Sequence, residues 1–237
     1  MRINKYLSLC GVASRRKCDE IIQKHEISIN GKTVTEVGTK VNVDEDIVSY
    51  KGKEVTLPTQ FSYYILNKPR GYITSIGDPQ DRKTIEALLT DIEEKVFHVG
   101  RLDKESEGLL LLTNDGDLSH KLLHPKFEVP KKYLVEVNRF LTDDHIKKLS
   151  SGIELYEGIT KKCHVELIKR SELKSTFHIT ITQGWNRQIR RMLERLTIKT
   201  LTLRRETFGT LKLNRLKSGD IRELTSGEIL SLQKLVQ

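Results

Sequence analysis

The chain has only three cysteines in 237 residues, Cys10, Cys18 and Cys163, odd in number and without close pairing, so no disulfide framework is expected. No apolar run approaches the roughly 18 residues of a membrane span. The opening residues lack the basic start, apolar run and small-residue cleavage site of a secretory signal. Together these absences predict a protein of the reducing cytoplasm with no membrane attachment. No G-x-x-x-x-G-K-[ST] loop occurs, and GRLDKESEG lacks the second glycine and the strand-to-helix setting of a dinucleotide site, which argues against nucleoside triphosphate or nicotinamide chemistry. His120 and His124 have the spacing of two metal ligands, but there is no third ligand nearby and no H-E-x-x-H, and Cys163-His164 has no C-x-x-C partner. No metal and no cofactor are expected. Fixed-period repeats and low-complexity tracts are absent as well.

What the chain does have is charge. Lys and Arg total 41 against 32 Asp and Glu, a formal charge of +9, which favours a polyanionic partner such as RNA or DNA over an acidic small molecule. Residues 2 to 17 carry Arg2, Lys5, Arg15, Arg16 and Lys17 with no acidic residue. Residues 186–217 carry ten cations, among them Arg187, Arg190, Arg191, Arg204 and Arg205, against Glu194 and Glu206. Either cluster alone is also what a solvated helix face looks like. Two clusters in one chain, with Asn30-Gly31 turning a strand pair near the first, fit phosphate contacts along a polymer.

Ile3, Tyr6, Leu7 and Cys10 repeat at helical spacing, Gly11 breaks the pattern, and Ser14 can cap a second helix holding Cys18, Ile21 and Ile22. ISINGKTV reads as two strands about Asn30-Gly31, and VDEDIVSYKG adds another turn and strand. Residues 1–57 are therefore expected to form a small helix-plus-strand domain, 58–61 a linker, and 62–237 a larger domain. In the larger domain YYILNK, KVFHVG, LLLLT, KYLVEV, HVELI, TFHITIT and LTLRRETF read as strands, with helices near 84–90, 117–123, 142–151, 186–196 and 225–235. Many strands with few intervening helices predict the α+β class, with a mixed, largely antiparallel sheet flanked by helices.

HVGRLDKESEGLLLLTNDG, residues 98–116, sets Asp103 beside Arg101, just ahead of four leucines. An aspartate at a loop-to-strand junction is ordinarily a turn residue. The apolar run after it, however, places this carboxylate at the edge of low-dielectric space, where an unpaired charge is costly and a cationic partner is needed. NDG itself suits a turn.

VGRLDKESEGLLLLTNDGDL, then KKYLVEV, then TQGWNRQIRRM resemble, in order, the ribosomal RNA pseudouridine synthases of the RsuA/RluB/RluF-like family. RINKYLSLCGVASRRKCDEII followed by ISINGK is similar to the small RNA-binding domain shared with ribosomal protein S-four. The resemblance implies isomerisation of a uridine in folded RNA: the bond from ribose C1′ to base N1 breaks, the uracil turns, and C5 bonds to the sugar, with no cofactor. It makes Asp103 the catalytic residue, acting as nucleophile or as base. One carboxylate suffices because the leaving base is also the acceptor, whereas a glycosidase needs two to deliver water.

By the same resemblance Tyr133 stacks on the uracil and Arg190 pairs with Asp103, keeping it ionised. Arg101 is a further candidate, to hold a phosphate or fill the space of a flipped base. The RNA-binding surface is expected to include Arg2, Lys5, Arg15, Arg16, Lys17, Asn30, Arg187 and Arg191. Two features depart from the family pattern: Trp185 in QGWNRQ, and the absence of the usual glycine in LERLTIKTL. The NRQIRRM form points to 23S rRNA, free or in an assembling subunit, with 16S rRNA or a tRNA stem-loop as alternatives. A non-catalytic RNA-binding assembly factor or a DNA-binding regulator would share the basic faces. A monomer is expected.

Overall fold

The helical spacing of Ile3, Tyr6 and Leu7 becomes α1 (Ile3–Leu9), and Gly11, at φ +74°, turns the chain into α2 (Arg15–Gln23). Ser14 caps α2 by accepting a hydrogen bond from the Lys17 N–H at 3.3 Å. In this computed structural model, which describes residues 1–78, 80 and 82–237, the chain divides into two units: Met1–Phe61 with Asn114–Gly116, and Ser62–Thr113 with Asp117–Gln237. The first unit continues with β1 (Ile27–Ile29), β2 (Lys32–Thr33), β3 (Val48–Tyr50) and β4 (Lys53–Glu54), in the order β2-β1-β3-β4. Its two tight turns are alike. Asn30 and Gly31 sit at φ +50° and +76°, as do Lys51 and Gly52, the pair of left-handed residues a two-residue hairpin requires. Ile3, Leu7, Ile22, Ile27 and Val48 are among the side chains of its apolar core.

The second unit contains β5 (Tyr63–Lys68), β6 (Phe97–Val99), β7 (Glu107–Thr113), α3 (Gly116–Leu123), β8 (Lys131–Val137) and α4 (Asp143–Ser151). After these come β9 (Glu154–Leu155), β10 (Gly158–Ile159), β11 (His164–Arg170), β12 (Ser175–Ile181), α5 (Gln188–Arg195), β13 (Thr200–Phe208), β14 (Leu211–Lys212), β15 (Ile221–Glu223) and α6 (Ser226–Leu235). The main sheet runs β11-β12-β8-β13-β7-β5-β15, with β6 added to β7 and β14 to β13. Among the described residues, the strands of this sheet pair antiparallel except β13 with β7. This is the α+β, mixed and largely antiparallel architecture read from the strand pattern. The helix expected near 84–90 is instead a 3₁₀ turn, Ile85–Leu88, closed by Leu89 N–H to Glu86 O at 3.0 Å.

The four leucines have a physical reason. Leu110 and Leu112 face a core with Val135, Phe177 and Ile179, while Leu109 and Leu111 face a second core with Phe208, Leu232 and Val236. A strand covered on both faces shows a continuous apolar run, not an alternating one. Gly108, just before them, has φ +104°, and a Cβ there would lie 2.3 Å from the Arg205 carbonyl oxygen. Only glycine lets β7 and β13 approach this closely. At the end of α5, Thr197 adopts φ +60°, with its N–H on Glu194 O and that of Ile198 on Leu193 O, each at 2.9 Å. The left-handed residue that ends most such helices is glycine. Here a β-branched residue takes its place, which accounts locally for the glycine missing from LERLTIKTL.

Candidate active site

Asp103 lies in the loop between β6 and β7, half-buried, and the loop is fixed through its backbone. The Lys68 ammonium at the end of β5 is fully buried and donates to Pro69 O at 2.9 Å, Ser106 O at 2.8 Å and Asp103 O at 3.3 Å. Thr74 Oγ1 donates to Leu102 O at 2.7 Å and accepts from Leu102 N–H at 3.1 Å. The Ser106 N–H closes the turn on Asp103 O at 3.0 Å. Burial pushes the Lys68 amine down to about 8, against the opposing charges of Asp103, Glu107 and Glu105. The Asp103 main chain thus has one orientation, set by a cation that bonds carbonyls and no carboxylate.

Arg190, on α5, is buried and reaches the same loop. Its Nη2 donates to Glu105 O at 2.9 Å and Ser106 Oγ at 3.3 Å. The expected contact was with the Asp103 carboxylate itself, but among the described residues no ion pair joins the two side chains. The guanidinium braces the backbone around Asp103, and the aspartate acts on it through space: burial and Arg187 lower the Arg190 pKa while the Asp103 charge raises it. Arg101 is exposed and borders the cavity that holds Asp103.

That cavity has a volume of about 370 Å³. Asp103 is the carboxylate on its wall, and Tyr133 on β8, 7% exposed, is among its aromatic lining with Trp185 and Phe208. Arg101, Arg187, Lys131 and Arg205 supply its cationic lining. Asp103, Tyr133, Arg101 and Arg187, read from distant stretches of sequence, therefore meet in one place. Sequence reasoning missed Lys68, Lys131, Arg205 and Phe208 as parts of this site. A signal existed for two of them: counting in steps of two back from Val135 and Tyr133 puts Lys131 on the inward face of β8, and Leu203 puts Arg205 on the inward face of β13. Lys68 offers only a lysine closing an apolar strand. Trp185, the other departure from the family pattern, is half-buried in the cavity wall, with its backbone N–H on Gln188 Oε1 at 3.2 Å.

The residues expected to meet RNA fall into different environments. In the first unit Arg2, Arg15, Arg16 and Lys17 are exposed and Lys5 is half-buried, with Lys17 paired to Glu20 at 2.6 Å. Asn30 serves its own turn: the amide donates to Asp46 at 2.8 Å and accepts from the Ile47 N–H at 2.9 Å. In the second unit Arg187 is exposed at φ +50°, whereas Arg191 makes a two-pronged pair with Glu157 at 2.7 and 2.8 Å. No group of three or more His, Cys, Asp or Glu able to hold a metal occurs among the described residues, and no helix is long and apolar enough to cross a membrane.

Comparison with known proteins identifies the family. Residues 62–195 match the model of the RNA pseudouridylate synthase family and residues 1–47 that of the S4 domain. The chain is 42% identical over 237 residues to an uncharacterized RNA pseudouridine synthase of Aquifex aeolicus, covering 100% of this chain and 95% of that one. It is 39% identical to the ribosomal large subunit pseudouridine synthase B of Bacillus subtilis, over 99% and 96% of the two chains. A crystal structure of a pseudouridylate synthase superposes with a TM-score of 0.71 at 28% identity, covering 98% of this chain and 99% of that one. With a half-buried loop aspartate, an inward tyrosine and matches along its whole length, this chain belongs to the RNA pseudouridylate synthase family and carries an amino-terminal S4 domain.

Proposed function

We propose that the protein converts a specific uridine of 23S rRNA to pseudouridine, with Asp103 as the catalytic carboxylate. The observation that carries this reading is the cavity itself: Asp103 is its one acidic lining residue among the described residues, on a loop locked by Lys68 and Arg190, in a space shared with Tyr133. A uridine stacked in RNA cannot enter such a space, so it is flipped out, at a cost of a few kcal/mol that stacking and phosphate contacts offset. Tyr133 stacks on the flipped uracil, and the Asp103 carboxylate meets the ribose or the base. Arg101, exposed at the rim, holds a backbone phosphate or occupies the vacated place in the RNA stack. The exposed cations Arg2, Arg15, Arg16 and Lys17 supply phosphate contacts from the S4 domain. The large-subunit target is supported by the NRQIRRM form and by the name of the Bacillus subtilis relative. The enzyme acts as a monomer in the cytoplasm, on free rRNA or an assembling subunit.

Mapping pseudouridines in 23S and 16S rRNA from cells with and without the protein tests this. One 23S position should revert to uridine in its absence, and purified Asp103→Asn should not restore it while binding the RNA within about threefold of wild type. An unchanged 23S map would sink the target assignment, and full activity of Asp103→Asn would sink the catalytic one.

A further inference from the structure

Two cations of the cavity are not explained by holding the Asp103 loop. Arg205 is 2% exposed, and its Nε donates to Leu109 O at 2.7 Å, which fixes the guanidinium against β7. Its Nη2 is buried without a partner, and no carboxylate pairs with it among the described residues. Lys131 lines the same cavity, its ammonium bonded to Val129 O at 2.8 Å and Thr182 O at 3.3 Å. Both cations flank the Phe208 ring, Arg205 at 5.2 Å and Lys131 at 5.9 Å from its centroid. Burial and the charge of Arg205 hold the Lys131 amine down to about 8. Two like charges, one buried and one half-buried, share this wall.

Such an arrangement is costly unless an anion arrives to balance it. Arg205 is directly opposite Tyr133 across the β13–β8 ladder, so its side chain and that tyrosine share one face of the sheet. A group stacked on Tyr133 therefore has the guanidinium beside it. An exposed phosphate is better served by cations at the surface, and Arg101 and Arg187 are there already.

Resting on the reading of this cavity as the uridine site, we propose that Arg205, supported by the charge of Lys131, donates to a carbonyl oxygen of the flipped uracil and takes up the charge that develops on the base. When the C1′–N1 bond breaks, its electron pair stays with the uracil and spreads onto O2 and O4. When C5 bonds C1′, the base returns an electron pair to the sugar, the C5 proton leaves, and N1 gains a proton. The composition of the RNA is unchanged. Between these events the base is an anion, and a fixed guanidinium stabilises that state more than the neutral uridine, which is the condition for speeding the step.

The experiment uses the full-length chain with Arg205→Gln and Arg205→Lys, on 23S and 16S rRNA transcripts made with uridine or with 5-fluorouridine. Cleavage of the C1′–N1 bond is followed in single turnovers at saturating enzyme by digestion and mass spectrometry. On uridine RNA the Gln variant should be slower by roughly 10²–10³-fold, with RNA Kd held within about threefold. On 5-fluorouridine RNA its deficit should shrink by about tenfold or more, because fluorine withdraws electrons and the base leaves with less help. If the Gln variant does not fold, Arg205→Lys, which keeps an amine for Leu109 O, carries the same comparison. A raised Kd with an intact saturated rate and a salt slope reduced by about 1 would mean a phosphate contact and overturn the assignment. An equal deficit on both RNAs would mean an architectural role and overturn it too, as would a wild-type rate in the variants. A wild-type chain that leaves both transcripts unmodified would overturn the underlying reading and this inference with it.

Discussion

The exposed cations of the S4 domain and the buried ones around Asp103 are the same residue types in opposite surroundings. Arg15 and Arg16 stand in water on α2, while Lys68, Arg190 and Arg205 are removed from it and Lys131 is half-buried. A solvated cation acts at a distance and is screened by salt, so it contributes affinity and no orientation. A buried cation loses its hydration and must recover it from fixed partners, here mainly main-chain carbonyls, so it positions backbone. The cations behind the net charge of +9 therefore stand in two kinds of surroundings, and composition cannot tell them apart.

Removing a cation from each place is the direct way to break this contrast. Lys68→Met takes the ammonium donor from the Pro69 and Ser106 carbonyls, at about 1–3 kcal/mol for each group left unsatisfied, while Asp103 O keeps the Ser106 N–H. We expect a lower melting temperature and pseudouridine formation slowed on the order of 10²-fold, while RNA affinity holds. Thermal unfolding and single-turnover assays check this, and a variant of wild-type rate would show that the loop does not need its cation. Gly108→Ala attacks the approach that buries Arg205. With the Arg205 backbone 2.3 Å from the new Cβ, it should cost about 3 kcal/mol, or roughly 6–12 °C in Tm.

The exposed side should respond in the opposite sense. Arg15→Ala with Arg16→Ala should leave Tm within about 0.5 kcal/mol of wild type and the saturated rate unchanged. Kd should rise about tenfold, and the slope of log K against log salt should fall by about 2. Titrations at several salt concentrations decide this, and a changed saturated rate would erase the distinction between the two groups. The smallest effect sharpens the account of α5, which carries Arg190. Thr197→Gly should relieve the left-handed backbone and raise stability by about 1 kcal/mol, read as a Tm gain of about 2–4 °C.

Much of the fold was legible because its signals are local. The Asn30-Gly31 turn, the Ser14 cap and the strand stretches YYILNK and KYLVEV depend on residues close in sequence, and each forms the element its pattern predicts. The short stretch near 84–90 was misread because helical spacing over so few residues does not separate an α-helix from a 3₁₀ turn. Of the site, Asp103, Tyr133 and Arg190 were named through resemblance, whereas Lys68, Lys131 and Arg205 were passed over. Residue type alone does not mark an inward cation: strand alternation turns Lys131 and Arg205 inward, but what each meets there depends on what lies across the sheet.

By itself, the sequence determined the element pattern, the charge excess, and the R-L-D aspartate beside a strand too apolar to be exposed. Only the tertiary structure decided which of the basic residues lose their water. Arg205 meets Tyr133 by strand register, Lys68 meets the Asp103 loop across 35 residues of chain, and Arg190 reaches it across 85. Those encounters are long-range, and the cost of burying a charge is settled by the partners it finds there.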